Sequence, residues 1–111
     1  MNSEQRERIV EDIVNHKIEL EEVGGNGHIT TEEIKEFRKT VEDQSDETLE
    51  DWWFSRVGEW VNSMNRWGND KFRTDDDTEI WLAEGYDHPA EWQYQKLLDG
   101  EPRDYGYVNP L

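Results

Sequence analysis

The chain has 111 residues, a formal charge of −16 and an apolar share of only 32%. That length holds one domain with a single modest core. A field of this sign repels nucleic acid and anionic membranes and draws basic partners inward, which comes close to excluding direct DNA or RNA binding.

The first predicted element is a helix opened by Ser3 and running to Glu21 or Glu22, with Ile9, Val10, Ile13, Val14 and Ile18 at helical spacing. Gly24, Gly25 and Gly27 break it. Thr30 and Glu33 form a T-x-x-E capping box for a second helix that turns Ile34, Phe37 and Val41 inward. Ser45 caps a third helix reaching Trp67, lined by Trp53, Val57, Trp60, Val61, Met64 and Trp67. Gly68 ends it. Thr74 is read as the cap of a short fourth helix containing Ile80, Trp81 and Leu82, stopped at Gly85. Pro89 sits at the first position of a fifth helix through Leu98, where its missing N–H is unpaired anyway. Gly100 and Pro102 close that helix. The expected class is all-α, with about five helices in one acidic domain, 1–100, and a C-terminal tail, 101–111.

The segment Gly25–Glu33 recurs loosely as Gly68–Asp76, and the apolar residues ahead of each copy also correspond: Ile9 with Trp52, Val10 with Trp53, Val14 with Val57, Ile18 with Val61. This divides the domain into helix-loop-helix units 3–44 and 45–85, followed by helix 89–98. Two such units can bury against each other a face that neither hides alone.

The twelve residues Glu22–Glu33 resemble an EF-hand calcium loop, so the pair of units resembles a degenerate EF-hand pair. That loop places oxygen ligands at positions 1, 3, 5, 7, 9 and 12 and glycine at 6. Asn26 falls at 5, Gly27 at 6, Ile29 at the apolar position 8 and Glu33 at the bidentate position 12. Position 1 is Glu22, and position 3 is Gly24, which offers no side-chain oxygen. The second loop, Asn65–Asp76, has Trp67 at position 3, Asp70 in place of the glycine and Arg73 at position 9. The resemblance implies a calcium ion at Glu22, Asn26 and Glu33, and a minimal two-strand bridge pairing Ile29 with Phe72.

Other chemistry is sparse. The chain has no cysteine, which removes disulfides, thiolate catalysis and zinc-thiolate sites. Asp12 and His16 lie four apart, a spacing that could put two metal ligands on one helix face, but they read first as an exposed pair. His28 and His88 have no evident catalytic neighbour, and no serine sits in a nucleophile motif. The expectation is a non-enzyme. With no apolar run of membrane length and no signal-peptide core in MNSEQRERIVED, it is also expected to be soluble and cytoplasmic, in the host cytoplasm if viral.

The acidity itself admits three readings: solvation, cation binding, or carboxylates standing where phosphates would stand on a basic partner. In size and charge alone the chain is similar to phage anti-restriction and anti-CRISPR proteins and to nuclease immunity proteins. That similarity implies a DNA mimic that blocks the basic groove of a nucleic-acid-handling protein. The carboxylates assigned to such a partner are Glu42, Asp43, Asp46, Glu47, Glu50 and Asp51, then Asp75, Asp76, Asp77 and Glu79. Trp52, Phe54 and Trp92 are candidate exposed aromatic anchors beside them. The alternative is an EF-hand-like calcium-binding regulatory module.

Overall fold

A computed structural model describes residues 1–24, 29–63 and 72–100, with the backbone alone for 22–24. The described chain is all-α, with five helices. Helix α1 spans Ser3–Gly24, and its cap is Asn2, not Ser3. Asn2 Oδ1 accepts from the Gln5 N–H at 2.8 Å, while Gln5 Oε1 accepts from the Asn2 N–H at 2.9 Å. This is a reciprocal capping box, set one residue earlier than the serine suggests. Helix α2 spans Thr31–Glu42, and Thr30 caps it by accepting from the Glu33 N–H at 3.1 Å.

Helix α3 is a continuous rod of three parts: α-helical Asp46–Trp52, π-helical Trp53–Gly58 and α-helical Glu59–Ser63. Ser45 caps it as expected, through the Thr48 N–H. The π segment has a reason in the sequence. Leu49, Trp53, Val57 and Val61 are all buried and recur at steps of four, whereas an α-helix overshoots by about 40° in every four residues. The wider π turn winds that drift back, so the four side chains stay on one face. Met64 and Trp67, assigned to the same stripe, lie outside the described residues.

The two units diverge after their first helices. Thr74 caps no helix. Its N–H donates to the Thr78 carbonyl at 2.8 Å, its hydroxyl accepts from the Thr78 N–H, and its carbonyl accepts from the Asp77 N–H. Consecutive carboxylates at Asp75, Asp76 and Asp77, the last at φ +65°, favour this closed turn over a helix. Helix α4 therefore begins late and spans only Ile80–Ala83. The one isolated bridge among the described residues joins Arg73 to Glu79 across that turn, rather than Ile29 to Phe72.

Helix α5 spans Pro89–Leu98, with Pro89 in its first turn. Its Ala90 N–H donates to Asn62 Oδ1 of α3 at 3.0 Å, so one rod supplies the other's missing N-terminal partner. Helix α1 is central and packs against α2, α3 and α5. The core joins Ile9, Val10, Ile13 and Val14 of α1 to Val41, Leu49, Trp53, Val57, Val61, Phe72, Ala90, Trp92, Tyr94 and Leu97.

Gly58 sets the approach of α3 to α5. A Cβ there would stand 3.3 Å from Phe54 Cδ1, 3.4 Å from Ala90 Cβ and 3.5 Å from Trp53 Cζ3. Gly58→Val is expected to lower the unfolding free energy by about 2 kcal/mol through overpacking. Gly58→Ala, which gains helix propensity and only grazes its neighbours, should change it by less than about 1 kcal/mol. Urea unfolding followed by tryptophan fluorescence measures both.

Candidate functional site

Asp12 and His16 are not an exposed pair. They are 1% and 3% exposed, on the stretch of α1 that faces the core. Both are in phase with Ile9 and Ile13 at steps of three and four, so the helix carries them inward with its apolar stripe. Burying a carboxylate there requires a partner. Trp53, itself fully buried, supplies one: its indole Nε1–H donates to Asp12 Oδ2 at 2.7 Å. The His16 ring meets Trp60 edge-on, with centroids 5.1 Å apart. Burial, and secondarily the Arg56 guanidinium, pulls the His16 imidazole from its ordinary value of 6.5 down to about 4. These two residues thus serve the core.

Asn26 and the Glu22 side chain lie outside the described residues. Glu33 occupies the first turn of α2, where its Oε1 accepts from the Thr30 hydroxyl at 3.0 Å. Among the described residues, no group of three His, Asp or Glu is placed to hold a metal ion. None of the described helices is long and apolar enough to cross a membrane.

The acidic residues divide by whether the fold uses them. Arg6 of α1 pins the α2–α3 connection: it donates to Asp46 Oδ1 at 2.6 Å, to the Glu42 carbonyl at 2.7 Å and to the Gln44 carbonyl. Arg38 of α2 draws in Glu7 at 2.7 Å, Glu11 at 2.9 Å and Glu42 at 3.9 Å. Asp77 is held by Arg73 at 2.7 Å, and Glu79 immediately precedes α4. Asp43, Glu47, Glu50, Asp51, Asp75 and Asp76 are exposed and have no ion pair among the described residues.

Their placement has a cost in one case. Asp43 is the C-cap of α2, at the negative end of the helix, where a carboxylate is disfavoured. Asp46 and Glu47 stand in the first turn of α3, where the dipole favours them. Along α3, Glu47, Glu50 and Asp51 share a face at steps of three and four, with neighbouring Cβ atoms about 5–6 Å apart.

An open cleft of about 480 Å³ adjoins this face, lined by residues of α1, α3 and α5. Asp46, Glu47 and Glu50 form its acidic wall, while Tyr94 and Leu98 supply an aromatic and an aliphatic side. Sequence reasoning missed this cleft, whose walls come from three distant segments. The expected aromatic anchors also change. Trp92 is only 3% exposed, donates from Nε1 to Glu84 Oε2 at 3.1 Å and lies under Lys96. Trp52 and Phe54 are half-buried against the core. Burial of Ala90, Gln93 and Tyr94 beside Trp92 makes the inner face of α5 wider than a single stripe. Among the described residues, the large hydrophobic ones that are exposed are aliphatic: Met1, Leu20 and Leu82.

The chain matches no family model, no curated protein and no solved structure.

Stability is expected to follow the His16 proton. Below pH 6.5 the unfolded chain takes up a proton that the folded imidazole refuses until about pH 4. Stability from this group is therefore complete above pH 6.5 and falls as the pH drops to about 4, by up to about 3 kcal/mol. In His16→Phe, the slope of unfolding free energy between pH 6.5 and 5 should flatten; an unchanged slope would contradict the assignment.

Proposed function

We propose that this protein is a non-enzymatic inhibitor that presents carboxylates in place of phosphates and occupies the basic groove of a nucleic-acid-handling protein. The observation that carries the reading is the division of labour among the acids. Arg6 and Arg38 gather the carboxylates that join α1 to α2 and α3. Asp43, Glu47, Glu50, Asp51, Asp75 and Asp76 remain exposed without an ion pair among the described residues.

Unpaired like charges repel one another and oppose compaction, and Asp43 also opposes the α2 dipole. Solubility needs net charge but does not require charge at a helix C-cap. A basic partner supplies the compensation that the fold withholds. Association is then fast and sensitive to salt, because complementary fields steer the encounter.

The test uses a panel of restriction endonucleases and RNA-guided nucleases, assayed for DNA binding and cleavage with and without the protein over a salt series. At least one member should be inhibited at near-stoichiometric ratio, with inhibition relieved as salt rises. Reversing Asp75, Asp76 and Asp77 to lysine should weaken that inhibition at least tenfold. Inhibition that survives the reversal, or that ignores salt, would contradict carboxylate mimicry.

A further inference from the structure

The cleft beside the α3 carboxylates holds a group that the fold leaves unused. Tyr94 is only 8% exposed, with its ring packed 5.0 Å from Trp53 and 4.9 Å from Phe54, centroid to centroid. No described residue hydrogen-bonds its hydroxyl, and the residue lines the cleft together with Asp46, Glu47 and Glu50. Burial and the Glu50 and Asp46 carboxylates push the phenol up to about 12, so the hydroxyl stays neutral and protonated at physiological pH. The ring is buried, while the hydroxyl at its tip is not sealed from solvent and is free to accept from a ligand's donor.

The surroundings define the ligand's chemistry. Asp46 is already engaged by Arg6 at 2.6 Å and by the Met1 amino group at 3.6 Å. Glu47 and Glu50, one turn apart, have no ion pair among the described residues. The Leu98 carbonyl at the C-terminal end of α5 already accepts from Arg8 at 3.0 Å and from Gln5 at 3.4 Å, so the carboxylates supply the site's free negative charge, and Leu98 gives an apolar wall. A cation with several donors and an aliphatic stem satisfies all of these at once. Guanidinium suits the site better than ammonium: it is planar, weakly hydrated, and can donate to two carboxylates and a phenol oxygen together.

We propose that the cleft between α1, α3 and α5 receives an arginine side chain of a protein partner, its guanidinium between Glu47, Glu50 and the Tyr94 hydroxyl and its stem along Leu98. This deepens the mimicry reading and rests on it for the partner that presents the arginine; the cleft would be the specific anchor within a diffuse acidic surface.

The probe is N-acetyl-arginine amide, titrated into the full chain and followed by NMR. One saturable site is expected, with the largest shifts at Tyr94, Glu47, Glu50 and Leu98, and with weaker binding of N-acetyl-lysine amide. Glu47→Gln with Glu50→Gln should weaken binding at least tenfold. Tyr94→Phe, which keeps the ring packed on Trp53, should weaken it severalfold. Asp75→Asn with Asp76→Asn removes the same charge elsewhere and should change the affinity less than twofold. Equal losses in the two double variants, shifts spread over the whole acidic surface, or no saturation would overturn the cleft. In the nuclease assay, inhibition retained by Glu47→Gln/Glu50→Gln but lost on reversing Asp75–Asp77 would sink the cleft and spare mimicry. Saturable arginine binding without inhibition of any nuclease would do the opposite.

Discussion

The hydrogen bond from Trp53 to Asp12 organises this molecule. It joins α1 to the π segment of α3 inside the core, where an unpartnered carboxylate or indole N–H would each be costly. Trp53 also meets Phe54 edge-on at 5.1 Å and Tyr94 of α5 at 5.0 Å. One side chain therefore fixes the relation of three helices. Removing a fully buried tryptophan of this kind commonly costs about 3–5 kcal/mol, a large part of a small domain's stability. The position of Tyr94 in the lining of the acidic cleft follows from that packing, so the candidate site inherits its geometry from the core.

The π segment belongs to the same constraint. Apolar residues at steps of four drift by about 40° per step on a regular α-helix, so Leu49 and Val61, three steps apart, would not both stay in the core. A π turn keeps them aligned, and Gly58 then allows α5 to close onto the rod. The charged residues divide around this framework. Arginines on α1 and α2 recruit the carboxylates that hold the helices together, while Asp43, Glu47, Glu50, Asp51, Asp75 and Asp76 are exposed on the α2 C-cap, along α3 and in the Thr74–Thr78 turn. An acid at the α2 C-cap opposes the helix dipole and does not serve stability.

What could be read in the sequence was local. Thr30, Ser45 and Pro89 mark true helix starts because a cap involves only the next three residues. The α1 cap shifted to Asn2 because its partner, Gln5, stands three residues on, an equally good local signal. Thr74 misled because a threonine that caps a helix and one that closes a turn use the same hydroxyl. Asp12 and His16 carried a signal too, since both recur in phase with Ile9 and Ile13. Polarity argued for the surface, but phase put them in the core, where Trp53 meets Asp12. The cleft could not be read at all: Gln5, Glu47, Glu50, Tyr94 and Leu98 come together only through the packing around Trp53.

On the mimicry proposal, the carboxylates without an ion pair among the described residues serve a partner and not the fold. The most direct test neutralises them together, with Asp43, Asp51, Asp75 and Asp76 changed to Asn and Glu47 and Glu50 changed to Gln, and measures the unfolding free energy at low and high salt. The account predicts a variant at least as stable as the parent at low salt, with the difference shrinking as salt screens the repulsion. A clear loss of stability at low salt would mean that these acids hold the structure together, and would contradict the account.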